Sequence, residues 1–365
     1  MKKTFPALLA AVMMAGALIG GCAGKTADTA PAAAGAETTG AETTAAGAET
    51  SEAETTAAEA ETATQADRAP VRVGSLKGPT SMGLVKLMDD NEKGTSAASY
   101  EFTMVTAADE LIGKVASGDL DIALIPANVA SVLYNKTNGG ISVIDINTLG
   151  VLDIVASDDS IKSIADLKGK TLALTGKGTT PDYVIHYLMK ENGLSEDDVK
   201  LEFKSEPTEV AALLKEQPDT IGLLPQPFVT AACAQNESLK IILDLTSEWD
   251  ALQGEGGSRM VTGVTVVRNA FLDERGADVD TFLKEHAASA EFANAEPDAA
   301  SELIAAAGII EKAPVAKKAL PYCNITCLTG EDMKTALSGY LKVLFEQDPK
   351  AVGGTLPEDT FYYVP

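Results

Sequence analysis

Two successive cycles of strand and helix patterns between residues 70 and 267 constrain the fold of this chain most. Residues 70–76 alternate like a half-buried strand, and apolar residues at helical spacing follow over 82–89. Each cycle contains a strand that ends in proline and leads directly into a helix pattern, at 119–134 and at 220–233. This alternation predicts an α/β fold with mainly parallel sheets. The similarity of the two cycles predicts two lobes with a ligand cleft between them.

The position of the two cycles sets the expected lobe boundaries. Lobe 1 is expected to comprise residues 69–152 and 256–365, and lobe 2 residues 153–255. The C-terminal part of lobe 1, from 278 to about 347, is expected to be mostly helical.

The N-terminus has the pattern of an export signal. Lys2 and Lys3 precede an apolar stretch over 5–19, which two glycines follow, so residues 1–21 are interpreted as a signal peptide. The sequence Leu-Ile-Gly-Gly-Cys that ends at Cys22 resembles a bacterial lipobox, which implies lipidation of Cys22 and an extracytoplasmic, membrane-anchored protein. The alternative is an ordinary secretory signal followed by an incidental cysteine.

A different composition separates the signal from the lobes. Residues 22–68 are dominated by alanine, glutamate and threonine and contain no large apolar residue. Such a segment cannot bury enough surface to offset its ordering entropy, so we expect a disordered tether. The whole chain has 53 acidic and 29 basic residues, a formal net charge of −24, which argues against a nucleic-acid partner.

Few residues suit catalysis or metal binding. The sequence has neither a Gly-x-Ser-x-Gly elbow nor a His-Glu-x-x-His motif. His186 is expected half-exposed on a helix and His286 on a surface helix. Cys323 and Cys327 either form a local disulfide or remain reduced, and their spacing is awkward for a bond within a regular helix. The sequence therefore predicts no enzyme, no cofactor and no metal.

Several short segments together carry a family resemblance. They are VGSLKGPTS at 73–81, GDLDIA at 118–123, IADLKGK at 164–170, GTTP at 178–181 and LPQPF at 224–228. Over residues 70–350 the chain resembles type II periplasmic solute-binding proteins of ABC importers. It is similar within them to the group that binds alkanesulfonates, taurine, nitrate and thiamine precursors. The resemblance implies a monomer that captures a small organic molecule, such as a sulfonate, a carboxylate or a pyrimidine, and delivers it to an ABC permease.

The predicted ligand contacts lie where strands lead into helices. Polar residues at such starts adjoin unpaired backbone amides, which suit an anion, although ordinary helix capping explains them equally well. Two amide side chains follow the strand-ending prolines, and the tryptophan either stacks on a planar ligand or packs in the core or hinge. The predicted contacts are Lys77, Thr80, Ser81, Met82, Asn128, Gly178, Thr179, Thr180, Gln226 and Trp249.

Two other functions are compatible with the same sequence features. A surface sensor or interaction lipoprotein could use the same fold to signal through a partner. A thiamine-pyrimidine type of enzyme is less expected, because the cysteine-rich motif and histidine chemistry of that group are absent from the sequence.

Overall fold

The computed structural model describes most of the chain after the expected tether. The described residues are 69–217, 219–254 and 257–365. The expected signal peptide at 1–21, the lipidation site at Cys22 and the tether at 22–68 lie outside the described residues.

The first sheet has six strands and mixed direction. β1 pairs in parallel with β2 and β3, whereas β10 runs antiparallel to β3 and β4, and β11 antiparallel to β4. In sheet order the strands are β11 (Ile325–Leu328), β4 (Ile141–Leu149), β10 (Val261–Arg268), β3 (Ile122–Pro126), β1 (Val71–Leu76) and β2 (Tyr100–Val105).

The second sheet has five strands and repeats this design. β6 is parallel to β7 and β8, and β5 is antiparallel to β8 and β9. In sheet order the strands are β7 (Lys200–Lys204), β6 (Thr171–Thr175), β8 (Ile221–Pro225), β5 (Leu152–Ala156) and β9 (Lys240–Asp244).

The two-lobed α/β fold is therefore confirmed. Most strands of each sheet run in one direction, and β10 and β11 of the first sheet and β5 of the second run against the others. β5 is the first strand after the chain leaves the first sheet, and β10 is the first after it returns. Each of these strands enters the middle of its sheet against the direction of its neighbours. Strand alternation within one cycle predicts parallel neighbours and cannot show the direction of a strand that arrives from the other sheet.

Helices connect the strands and cover the sheets. In chain order the helices of the described residues are α1 (Pro79–Met82), α2 (Val85–Glu92), α3 (Ala108–Ser117), α4 (Ala127–Lys136), α5 (Thr180–Glu191), α6 (Pro207–Glu216), α7 (Phe228–Gln235), α8 (Leu245–Gln253), α9 (Asn269–Ala295), α10 (Pro297–Ala306), α11 (Ala313–Ala319) and α12 (Gly330–Gln347). None of these helices is long and apolar enough to cross a membrane.

Local signals explain where several helices begin and end. Gly118 takes a left-handed φ of 82° directly after α3 and ends it, as glycine does most easily. The Asp244 side chain accepts hydrogen bonds from the first backbone amides of α8 and so caps that helix. The helix expected at 82–89 is instead two pieces, α1 and α2, and the C-terminal region expected to be helical also contains β11.

The main hydrophobic core is continuous across the two sheets. It joins Ile146 and Val264 of the first sheet to Ile154 and Leu172 of the second, and it includes Trp249 of α8. We use first lobe for the elements around the first sheet and second lobe for those around the second. The shared core means that the two lobes contact each other closely in this conformation.

Candidate functional site

The chain passes from the first lobe to the second through a very tight connection. A Cβ atom added to Gly150 would lie 2.1 Å from Cε of Met260 and 2.2 Å from Oγ1 of Thr246. Such distances leave no room for a side chain, so the close approach of the lobes requires glycine at this position. The Asn324 side chain donates a hydrogen bond to the Gly150 carbonyl from the first-lobe side.

The polar residues predicted at the first-lobe helix start make local hydrogen bonds. Oγ1 of Thr80 and Oγ of Ser81 both donate to the Leu76 carbonyl, at 2.6 and 2.7 Å. They lie inside the single turn of α1 rather than before a helix, because Pro79 begins that turn. Both side chains are buried, as is Met82, whereas Lys77 is exposed.

The second-lobe helix start is similarly occupied by local bonds. Thr179 precedes α5 and is exposed, and its Oγ1 donates to the Gly176 carbonyl at 2.6 Å. The Gly178 amide donates to the Asp182 carboxylate at 2.7 Å. In this conformation the hydroxyls of Thr80, Ser81 and Thr179 therefore bond to carbonyls of the chain, and among the described residues no N-cap side chain binds the first amides of α1 or α5.

An aromatic cluster lies where the lobes meet. The Trp249 ring packs between Tyr187 of α5 and Tyr340 of α12, with ring centroids 4.6 and 5.5 Å away. Its Nε1–H donates to Oγ of Ser258 at 3.2 Å, and the side chain is fully buried. In this conformation both rings that contact Trp249 therefore belong to the protein. Burial raises the pKa of Tyr340, whose hydroxyl has no hydrogen-bond partner among the described residues, and the nearby Thr180 at the start of α5 opposes this increase.

Gln226 belongs to a buried polar network in the second lobe. Its Nε2 donates to Asp153 at 3.0 Å, and Oγ1 of Thr230 donates to its Oε1 at 2.8 Å. Burial raises the pKa of Asp153 to about 7; the Gln226 hydrogen bond opposes this increase, and the nearby Asp244 carboxylate adds to it. The network therefore contains a carboxyl group that titrates near neutral pH.

A cavity of about 510 Å³ has walls from both lobes. Thr230 links this cavity to the Gln226 network. Lys240 and Lys318 are its charged residues, and within the described part of the chain neither forms an ion pair. The lining residues are Val229, Thr230, Cys233, Ala234, Leu239, Lys240 and Ile241 of the second lobe with Lys318, Pro321 and Tyr322 of the first.

The structure distributes the ten predicted contacts unevenly. Gln226 borders the cavity through Thr230, while Thr180 and Trp249 lie at the contact between α5, α8 and α12. Asn128 instead donates to the Ala351 carbonyl at 3.5 Å, within the first lobe. The sequence did not indicate Lys240, Lys318 or Tyr322, because their exposed positions carry no motif and only the tertiary fold brings them together.

The cysteines and histidines also differ from expectation in part. Cys233, Cys323 and Cys327 are free thiols, so the structure shows no bond between Cys323 and Cys327. His286, expected on a surface helix, is fully buried because the face of α9 that carries it packs on β4. Its Nδ1 lies 3.2 Å from the Asp145 carboxylate. Burial, with a contribution from the Asp145 charge, raises the pKa of the Cys327 thiol.

Two solved bacterial structures illustrate the similarity of the fold. An ABC transporter protein from Parabacteroides distasonis superposes with a TM-score of 0.67 at 23% identity, covering 81% of this chain and 99% of its own. The periplasmic aliphatic sulphonate binding protein SsuA from Escherichia coli superposes with a TM-score of 0.65 at 16% identity, covering 82% and 93%. At these identities the likeness concerns the fold.

The sequence relatives align with a smaller share of this chain than the solved structures do. A binding protein of Brucella abortus is 27% identical over 162 residues, 43% of this chain. The chain spans about half the length of the curated relatives it matches, 49% for this one. The family described as NMT1/THI5 like matches residues 115–300, which include parts of both sheets and just over half of the sequence. The chain therefore belongs to the NMT1/THI5-like family.

Proposed function

We propose that this protein is a solute-binding protein that captures a small organic molecule between its lobes and delivers it to an ABC permease. The observation that carries the proposal is the cavity of about 510 Å³ whose walls come from both lobes. Small-molecule sites are commonly cavities of roughly 300 to 1,000 Å³ at domain interfaces. Closure of two lobes on a ligand would present the loaded form to a transporter.

The charges of the cavity favour an anionic ligand. Lys240 and Lys318 approach it from opposite lobes, and no carboxylate is among its described lining residues. A sulfonate or carboxylate group would interact with both lysines and so draw the lobes together. Leu239 and Tyr322 offer apolar surface to the organic part, and the Tyr322 ring would equally suit a pyrimidine-like group.

The helix starts are a second possible position for the ligand. Thr80, Ser81 and Thr179 now bond within the chain, and a ligand anion beside them and Thr180 would have to replace bonds such as that from Thr179 to Gly176. The two positions predict different effects of substitution, because Lys240 and Lys318 belong to the cavity alone.

The location and partners complete the proposal. We assign residues 1–21 to a signal peptide, Cys22 to lipid anchoring and residues 22–68 to a tether. The monomeric binding unit, with lobe 1 at 69–152 and 256–365 and lobe 2 at 153–255, would then act outside the cytoplasm. We propose no catalytic role.

Binding to purified full-length protein tests the function. Short alkanesulfonates, carboxylates and pyrimidines are screened by thermal unfolding and then by calorimetry. A ligand at a hundredfold its Kd adds about 2.7 kcal/mol to the free energy of unfolding, which raises Tm by about 4 °C for a domain of roughly 300 residues. Absence of any shift with all three classes would contradict the proposal.

Matched lysine variants locate the site. Lys240→Gln and Lys318→Gln should each weaken binding of an anionic ligand about tenfold, or about 1.4 kcal/mol. Lys317→Gln is the control, since Lys317 is the adjacent residue but pairs with Asp298 rather than lining the cavity. If Thr180→Ala loses binding while Lys240→Gln and Lys318→Gln bind as tightly as the unaltered protein, the ligand binds at the helix starts instead.

A further inference from the structure

Three side chains with metal-binding chemistry converge inside the first lobe. Asp145 comes from β4, His286 from α9 and Cys327 from β11. One carboxylate oxygen, one imidazole nitrogen and the thiol sulfur all lie within 4.8 Å of one another. Sequence spacing gives no sign of this cluster, because residues 145, 286 and 327 meet only through the pairing of β4 with β11 and the packing of α9 on β4.

Hydrogen bonds hold the Asp145 carboxylate in place. Oδ1 accepts a bond from Oγ1 of Thr265 at 2.9 Å, and Oδ2 lies 3.2 Å from Nδ1 of His286. Nδ2 of Asn147 in turn donates to Oγ1 of Thr265 at 3.2 Å. Outer hydrogen bonds of this kind orient the ligands of metal sites.

Within the described residues, one buried polar atom of the cluster has no hydrogen-bond partner. Asp145 and His286 are both fully buried. Nε2 of His286 is also buried and has no hydrogen-bond partner among the described residues. A structural Asp145–His286 hydrogen bond through Nδ1 explains the 3.2 Å contact, but it does not explain why the Cys327 thiol lies beside the same two groups.

Cys327 is the member of the cluster that borders a surface cavity. Cys327 is only partly buried and lines a cavity of about 460 Å³ between α9 and β11. Exposed Glu291 lies on the wall of the same cavity and gives it a negative charge that would attract a cation. Asn294 and Thr326 add further polar atoms to the wall.

We propose that Asp145, His286 and Cys327 bind a zinc ion. A carboxylate, an imidazole and a thiolate are all ligands that Zn²⁺ accepts, with solvent completing a tetrahedral site. Binding forms the zinc–sulfur bond and releases the thiol proton to solvent, with no change in oxidation state. Zinc bonds of about 2.0 to 2.3 Å require the thiol to turn toward the other two ligands when the ion enters.

This site is separate from the proposed solute cavity. Its residues come from the first lobe alone, whereas the solute cavity has lining residues from both. A failure of zinc binding would leave the solute-binding proposal unchanged, and the reverse also holds.

Cobalt substitution tests the proposal on the full-length chain after removal of metals with a chelator. One equivalent of Co²⁺ should produce a thiolate-to-cobalt charge-transfer band in the near ultraviolet, and Zn²⁺ should abolish it by displacement. Cys327→Ser should remove the band and weaken Zn²⁺ binding at least tenfold in calorimetry. His286→Gln should weaken Zn²⁺ binding as well, with circular dichroism confirming that each variant is folded.

The two other described cysteines provide matched controls. Cys323→Ser and Cys233→Ser should retain the cobalt band, because neither thiol belongs to the cluster. The proposal is overturned if the unaltered chain shows no thiolate–cobalt band. It is also overturned if a folded Cys327→Ser variant binds Zn²⁺ as tightly as the unaltered chain.

Discussion

Asp153 makes the stability of this protein depend on pH near neutrality. A carboxyl whose pKa rises from 3.8 to about 7 on folding costs about 4 kcal/mol once the pH exceeds that value, since each pKa unit corresponds to about 1.4 kcal/mol. Between about pH 4 and about pH 7 the folded carboxyl keeps a proton that the unfolded one has lost. The free energy of unfolding should therefore fall as pH rises through this window.

Asp153→Asn removes the titrating group while keeping a planar polar side chain beside Gln226. We expect the free energy of unfolding of the variant to exceed that of the unaltered protein by up to about 4 kcal/mol at about pH 8. This difference should disappear at about pH 4. Urea unfolding followed by circular dichroism measures both values. If the two proteins differ in free energy of unfolding by the same amount at both pH values, or do not differ at about pH 8, then ionisation of Asp153 does not destabilise the protein as proposed.

Two further substitutions should behave differently from Asp153→Asn. Burial tends to raise the pKa of Asp121, but hydrogen bonds from Arg72 and Arg268 outweigh it and lower that pKa. Asp121→Asn should thus destabilise by about 3 kcal/mol or more near neutral pH, and less in acid below the ordinary carboxyl pKa, in the same urea assay. Gly150→Ala should lower the free energy of unfolding by about 1 to 3 kcal/mol by pushing Met260 away, and an unchanged Tm would contradict the tight lobe contact.

Local sequence signals predicted much of the fold because many elements have local causes. The buried run of β3 and the proline that ends it identify both the strand and the start of α4. β11 was missed because its four residues are a strand only through pairing with β4, about 180 positions earlier in the chain. The direction of β5 and β10 likewise depends on contacts between distant segments.

The same distinction applies to the candidate site. Gln226 is predicted from the strand–proline–helix pattern; it does not line the cavity but accepts a hydrogen bond from Thr230, which does. Lys240 and Lys318 face that cavity from separate lobes, so no local pattern indicates that they share it. The burial of His286 also follows from packing of α9, whose outer residues give that helix a surface character in the sequence.

Trp249 gives the most direct measurement of the central claim, capture of a small molecule between the lobes. It is the sole tryptophan of the sequence and packs against Tyr187 of the second lobe and Tyr340 of the first. Titration with a ligand found in the thermal screen should change its fluorescence saturably, with the same Kd as calorimetry and one ligand per chain. A ligand that binds in calorimetry but leaves Trp249 emission unchanged would contradict binding between the lobes.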